Sequence, residues 1–367
     1  FSNFKVHMDS TGNLKSMIEA HYDIGYISQI DIIVGGTVNT SYCVWTEIDS
    51  KIKKYVLRQY QPKKNQNDIE FEHAIIDHLG KKNFSIVGYI KPTKSNKTYF
   101  VTYDETSDNP PGKVFNSMFS FLEGEDLYSW YFPGCSFAEL MSSAQTLAEY
   151  HANISDFSND KTKSDLTIKK LLPTLTKKID NYINNSDITS VTVYLKAHLN
   201  LITKEINDVS RAFNALTSDK FPEVVIHCDF HPGNLLYKNG IVTGMFDFDW
   251  ALFDIRAFDV GMALMYFCAE WNDTENGSIH QSKVDIFTKN YQDRFLKSSN
   301  NKVGPLNNAE LNALQLMIRS ANLFLLYWGI IDFYTKSLDP TEYIKYVEHS
   351  ILMIKWLRTN TLHFSGA

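Results

Sequence analysis

The chain has 367 residues, and its 36 lysines and arginines against 42 aspartates and glutamates leave a formal charge of -6, which supplies no positive field to hold a nucleic acid. Four cysteines, Cys43, Cys135, Cys228 and Cys268, stand singly with no CxxC pair, which excludes a zinc ribbon or a dense disulfide framework and fits a reducing cytoplasm. No secretory signal pattern opens the sequence, and the longest apolar stretch, ANLFLLYWGII at 321–331, is too short to cross a bilayer, so it reads as a buried helix and no membrane partner is expected.

This length exceeds what one core usually fills, so two lobes are expected, 1–122 and 123–367. The first favours strands, with alternating or apolar runs at ISQIDIIV (27–34), SYCVWTEI (41–48), KKYVLRQY (53–60), KTYFVTY (97–103) and VFNSMFSFL (114–122). One helix interrupts them, NDIEFEHAIIDHLGKK at 67–82. Its apolar positions Ile69, Ala74 with Ile75 or Ile76, and Leu79 keep helical spacing, with Asp68 as its cap and Gly80 as its stop. DETSDNPPGK at 104–113 is the clearest loop. From EGED (123–126) onward the pattern turns helical, with helices predicted near 136–153, 166–184, 188–216, 257–270, 279–296, 307–335 and 341–358 and one compact strand region at 224–249. The expected fold class is α+β, a small antiparallel-sheet lobe with one main helix followed by a larger, mostly helical lobe.

HCDFHPGN at 227–234 admits three readings. His227, Asp229 and His231 alternate and could share a strand face as metal ligands, although Pro232 and Gly233 cut that strand short and no further His or Cys is close in sequence. The stretch could equally be a plain polar turn. The third reading comes from LLYKNGIVTGMFDFDW downstream, where Asn239-Gly240 between apolar runs is a strong hairpin signal. Counting outward from that turn sets Asn234 opposite Met245, with Asp247 two residues beyond that partner, a diagonal of roughly 7 to 8 Å. An amide and a carboxylate would then meet as hard oxygen ligands for Mg2+, with Asp229 left as a separate base, an arrangement suited to phosphoryl transfer.

HCDFHPGN fits an HxDxxxxN loop pattern, and Asp247 in MFDFDW stands where kinase-like folds keep a metal-binding aspartate. The chain resembles the aminoglycoside phosphotransferase and choline kinase superfamily, including the type II homoserine kinases. That resemblance implies a bilobal protein-kinase-like fold with Asp229 as catalytic base, Asn234 and Asp247 as Mg2+ ligands, and His227 bracing the loop. It implies ATP or GTP as co-substrate and a small hydroxyl compound as acceptor, such as an amino alcohol, homoserine, a sugar or an aminoglycoside.

The same likeness assigns parts of the first lobe. Gly35 and Gly36 in VGGTVNTSY would bring backbone amides to phosphate oxygens. Val56 would cover adenine and Arg58 meet the phosphates, although Arg58 stands where the family usually keeps lysine and a solvated strand-edge arginine is the plain alternative. Glu72, with Glu70 in reserve, would hold that cation. Ser120, Phe121 and Leu122 would form the hinge whose backbone meets the base. His151 is expected to pack or cap, Asp259 to cap its helix or brace the loop, and Asp249 stays open between a second metal, a substrate contact and neither. Trp328 and Asp332, four apart on a helix, could face a cationic amine or simply fill core. Two rival functions remain: a metal-dependent hydrolase built on His227, Asp229 and His231, and a nucleotide-binding module without catalysis.

Overall fold

The computed structural model describes residues 9–33, 39–62, 64–104, 112–129, 134–159, 167–271, 277–296, 302–336 and 339–364. The chain divides into two compact units, Phe1–Glu123 and Gly124–Ala367.

The first unit is an antiparallel sheet of six strands: β1 (Tyr26–Ile33), β2 (Thr40–Ile48), β3 (Lys51–Gln59), β4 (Ile90–Lys91), β5 (Phe100–Asp104) and β6 (Gly112–Ser120). They run in the order β1-β2-β3-β6-β4, with β5 also on β6. Asp49 and Ser50, both at positive φ, turn β2 into β3 as a two-residue hairpin. Alternation along the strands turns Ile27, Val44, Leu57 and Met118 to one face. A helix that the sequence reading did not anticipate, α1 (Asp9–His21), covers that face with Leu14, Ile18 and Tyr22 following it. Its apolar stripe is only Leu14, Met17 and Ile18, too short to stand out as a period.

The predicted helix is α2 (Gln66–Lys81), with different ends from those expected. Asn65, not Asp68, is the N-cap, its side chain accepting from the Asn67 amide. Gly80 lies inside the last turn, and the stop is Asn83 at φ 59. The Asn83 amide donates to the Gly80 carbonyl and the Phe84 amide to that of Leu79, a Schellman closure in which asparagine takes the left-handed position.

In the second unit α3 (Phe137–Ile154) starts from a capping box of Ser136 and Glu139. The single helix expected over 166–184 is broken into α4 (Ile168–Leu171), a 3-10 turn at 172–174, and α5 (Leu175–Asn185), because Pro173 supplies no amide for a continuous ladder. Then come α6 (Ser190–Asn214), β7 (Glu223–Ile226), the hairpin of β8 (Leu235–Lys238) and β9 (Ile241–Met245), and β10 (Leu252–Ile255), an unanticipated strand antiparallel to β7. Four helices close the unit: α7 (Arg256–Cys268), α8 (Gln281–Leu296), α9 (Asn308–Lys336) and α10 (Pro340–Thr359). The apolar run at 321–331 lies in α9, a mostly buried helix as expected; the whole of α9 is by length and composition long and apolar enough to cross a membrane, but most of its apolar window is buried.

Every residue of α7 is buried. It meets α9 at Gly261, where a Cβ would stand 2.5 Å from the Met317 Cβ and 2.8 Å from the Met317 carbonyl carbon. The obstacle includes backbone, so side-chain rotation cannot relieve it. Gly261→Ala is expected to cost about 3 kcal/mol in urea unfolding by forcing the two helices apart; near-normal stability in that variant would contradict this approach.

Candidate active site

The apolar strand β7 delivers the chain to His227 in the core, and the loop after it turns on Cys228 at φ 64. A non-glycine residue holds that conformation only where its surroundings over-determine it. They do so here through Asp259, a carboxylate with no exposed surface. Its Oδ2 accepts from the His227 amide at 2.8 Å and from His151 Nε2 at 3.0 Å, and its Oδ1 accepts from the Cys228 amide at 2.9 Å. Asp259 is therefore not an N-cap: α7 begins at Arg256 after Ile255, and Asp259 sits one turn inside, aimed at the loop. His151 neither caps nor merely packs. Burial lowers its pKa despite the carboxylate, so it is neutral, and its Nδ1 lies 2.7 Å from the Tyr291 hydroxyl.

The next side chain is Asp229, 23% exposed. Its Oδ2 accepts from Asn234 Nδ2 at 3.2 Å and lies 3.5 Å from His231 Nε2; its Oδ1 accepts from the Tyr266 hydroxyl at 2.9 Å. His231 Nδ1 accepts from the Gly233 amide, which leaves the proton on Nε2, facing Asp229. Burial pushes the Asp229 carboxyl up, but the His231 ring and the Tyr266 hydrogen bond help to outweigh it and hold the group below the usual carboxylate range.

Asn234 Nδ2 also donates to the Asp229 carbonyl at 2.9 Å. A carbonyl can only accept, so the amide orientation is determined and Oδ1 faces the other way. Asn239 and Gly240, both at positive φ, make the expected hairpin turn, but the register differs from the simple count. The pairing slips between Leu236 and Tyr237, so Leu236 faces Gly244 and Leu235 faces Met245, with Thr243 as the extra residue of a bulge. Asn234 consequently meets Phe246, whose amide donates to its carbonyl at 3.2 Å, and Asp247 is one residue beyond that partner instead of two. Asp247 itself has φ 66 and β9 ends at Met245, so strand alternation does not extend to Asp247 and Asp249. His227 Nε2 lies 3.1 Å from the Phe246 carbonyl and ties the two loops together; burial lowers its pKa, so it brings no positive charge.

Among the described residues no group of three or more His, Cys, Asp or Glu could hold a metal ion. The ligand set His227, Asp229 and His231 therefore does not form: His227 turns its Nε2 to a backbone carbonyl and His231 uses Nδ1 on its own loop. An amide oxygen from Asn234 and a carboxylate from Asp247 do suit a hard cation that keeps most of its shell from water and phosphate.

In the first unit Arg58 NH1 meets Glu72 Oε1 at 3.0 Å, with 14% and 3% of the side chains exposed. This excludes the solvated-edge reading of Arg58 and separates the two acids, since Glu70 instead accepts from Tyr99 and Gln66. The Tyr60 hydroxyl donates to Glu72 Oε2 at 2.8 Å and so must accept from His73 Nε2 at 3.2 Å. Burial, and then the Arg58 charge, lower the His73 pKa to about 3, which keeps the ring neutral. Val56 is partly buried and pairs with Cys43 and Phe119. Ser120 is pinned to Tyr89 by its amide and its hydroxyl, while Phe121 lies beyond the strand under the Lys54 ammonium at 4.6 Å and Leu122 follows it. Gly35 and Gly36 lie outside the described residues. Trp328, partly buried, packs on Trp250, with ring centroids 4.1 Å apart, and on Phe324 and Tyr327. The sequence places Tyr266 among the aromatics of the helices expected to build an acceptor pocket, but its pairing with Asp229, and Tyr60 and His73 as partners of Glu72, were not anticipated. Tyr266 had a detectable signal, because it stands seven residues after Asp259, two helical turns on and on the same face.

The model of a family described as the phosphotransferase enzyme family (APH) matches residues 30–283. A homoserine kinase of Brucella melitensis biotype 2 (strain ATCC 23457) is 24% identical over 334 residues, covering 89% of this chain and 88% of that protein. Among solved structures, an amicoumacin kinase in complex with AMP-PNP and Ca2+ aligns with a TM-score of 0.66 at 13% identity, covering 97% of this chain and 96% of that one. A microcompartment-associated aminopropanol kinase aligns at 0.63 with 14% identity, covering 94% and 96%. The resemblance carried by HCDFHPGN and MFDFDW thus holds, and the fold is kinase-like.

Asp259→Asn replaces an acceptor by a group that must turn a donor toward the backbone amides. It is expected to cost about 3 kcal/mol, roughly two orphaned buried donors, in denaturant unfolding; a variant as stable as the parent would show that the loop does not depend on this carboxylate.

Proposed function

This chain belongs to the phosphotransferase enzyme family and is a small-molecule kinase, and we propose that it transfers the γ-phosphate of ATP or GTP to the hydroxyl of a small amine-bearing alcohol. The observation that carries the reading is the Asp229 carboxylate, held in a loop that Asp259 pins from beneath and joined by Asn234 to the hairpin that leads to Asp247.

In the proposed reaction the acceptor hydroxyl donates to Asp229 and its oxygen attacks the γ-phosphorus in line. The bond to the β-phosphate oxygen breaks and the hydroxyl proton passes to Asp229. A carboxylate held below its usual pKa stays ionised and ready to accept; it is a weak base, which suits a loose transition state in which the proton leaves late. Asn234 and Asp247 would hold Mg2+, which when bound offsets charge on the phosphate oxygens. Arg58, oriented by Glu72, would meet the phosphates as a planar fork in place of the usual lysine, with Val56 at the base and the backbone of Ser120, Phe121 and Leu122 as hinge. The Ser120 amide is engaged by Tyr89, so hinge contacts would fall chiefly to the two residues after it.

Homoserine and aminopropanol, named for two of the similar kinases, share a hydroxyl and an amine, which supports that acceptor class. The four cysteines are free thiols, which extends the proposal to a reducing cytoplasm.

Asp229→Asn is expected to lower phosphate transfer about a hundred- to ten-thousandfold while the thermal shift given by ATP and Mg2+ persists. Transfer would be followed in a screen of homoserine, amino alcohols, sugars and aminoglycosides. Normal turnover in the variant removes Asp229 as base, and a thermal shift in the parent without transfer to any acceptor favours a binding module. Arg58→Lys keeps the charge but loses the planar guanidinium whose NH1 meets Glu72, and should raise the KM for nucleotide about tenfold with a smaller change in kcat.

A further inference from the structure

The Asp229 carboxylate has two unequal oxygens. Oδ2 is held within its own loop, by Asn234 Nδ2 at 3.2 Å and, at 3.5 Å, by His231 Nε2. Asn234 is buried and His231 is fixed through its Nδ1, so neither donor can leave without unmaking the loop. Oδ1 is met from outside the loop by the Tyr266 hydroxyl of α7, at 2.9 Å. Since Oδ2 is occupied by fixed donors, Oδ1 is the oxygen able to receive a proton, and a phenol stands there in the position an acceptor alcohol would take.

Asp229 is 23% exposed, so water can reach this carboxylate. Tyr266 is only 7% exposed, its ring lies 5.1 Å from that of His231, and its carbonyl accepts from Trp271 Nε1 at 3.1 Å. Burial, followed by the Asp229 charge, pushes the phenol's ionisation well above its ordinary value, so it remains a donor.

Resting on the reading of Asp229 as the base, we propose that Tyr266 is a positioning residue that occupies the reactive oxygen of Asp229 against water, so that the enzyme phosphorylates alcohols in preference to hydrolysing its nucleotide. An alcohol bound through the rest of its structure can spend that binding energy on displacing the phenol. Water has no remote part to bind and must compete for Oδ1 with a charge-assisted hydrogen bond already made. Nucleotide hydrolysis is the side reaction that an accessible base invites, because water and an alcohol present the same attacking group.

The hydrolysis arm of the test, which decides the proposal, needs no knowledge of the acceptor. ADP release from ATP and Mg2+ is measured with the full chain alone, and phosphate transfer is measured with L-homoserine and 1-amino-2-propanol. Tyr266→Phe keeps the ring and removes the hydroxyl. It is expected to raise acceptor-independent ADP release about tenfold or more, with the KM for ATP within about twofold, and to shift the ratio of hydrolysis to transfer toward hydrolysis. A gain of hydrolysis cannot arise from misfolding. In the double variant with Asp229→Asn the gain should vanish, because it runs through that carboxylate. ADP release unchanged or lowered by Tyr266→Phe overturns the proposal while leaving Asp229 as base. A gain that survives in the double variant overturns it too, because the hydroxyl would then act elsewhere. Parent-level hydrolysis and transfer in Asp229→Asn alone would overturn the base assignment itself, and this inference with it.

Discussion

One buried carboxylate organises the second unit. Asp259 has no exposed surface, and a charge so placed is tolerable only when its oxygens are fully engaged. Two of its donors are consecutive backbone amides, His227 and Cys228, and the third is His151 on α3. A side chain on one helix thereby dictates the backbone of a loop and is itself held by another helix. The left-handed Cys228 follows from that grip, since two amides aimed at one carboxylate require a sharp turn between them. The turn is what presents Asp229 at the edge of the core.

The remaining pieces are arranged by equally local events. The bulge at Thr243 moves the β8–β9 register by one residue, brings Phe246 opposite Asn234 and sets Asp247 next in line. His227 closes the arrangement by bonding the Phe246 carbonyl. The same α7 face that supplies Asp259 supplies Tyr266 two turns later, so one helix holds the loop from below and touches the Asp229 carboxylate from the side. That helix can lie so close to α9 only because Gly261 has no side chain. In the first unit a chain of neutral donors, His73 to Tyr60 to Glu72, orients the acid that holds Arg58. Burial lowers the pKa of His73 in the first unit and of His151 and His227 in the second, so these three rings add no positive charge.

Much of the architecture was legible in the sequence because its signals are local. Alternation in KKYVLRQY and VFNSMFSFL marked β3 and β6, helical spacing marked α2 and α3, and Asn239-Gly240 marked the hairpin. What escaped depended on distant partners. α1 carries too few apolar residues to announce itself and exists because a sheet face needs cover. β10 is short and is a strand only through β7. The ends of α2 went to Asn65 and Asn83, because caps are chosen by the whole path of the chain as well as by residue type.

The residue types and spacing in HCDFHPGN and MFDFDW were enough by themselves to identify the family and to nominate Asp229, Asn234 and Asp247, since the first fits the HxDxxxxN loop pattern and the second follows it across one hairpin. Which histidine ties which loop, which of Glu70 and Glu72 meets Arg58, and which oxygen of Asp229 faces a phenol were decided only by tertiary structure. Those contacts join residues dozens of positions apart, and their geometry turns on a one-residue bulge and a helix-to-helix distance that no local pattern encodes.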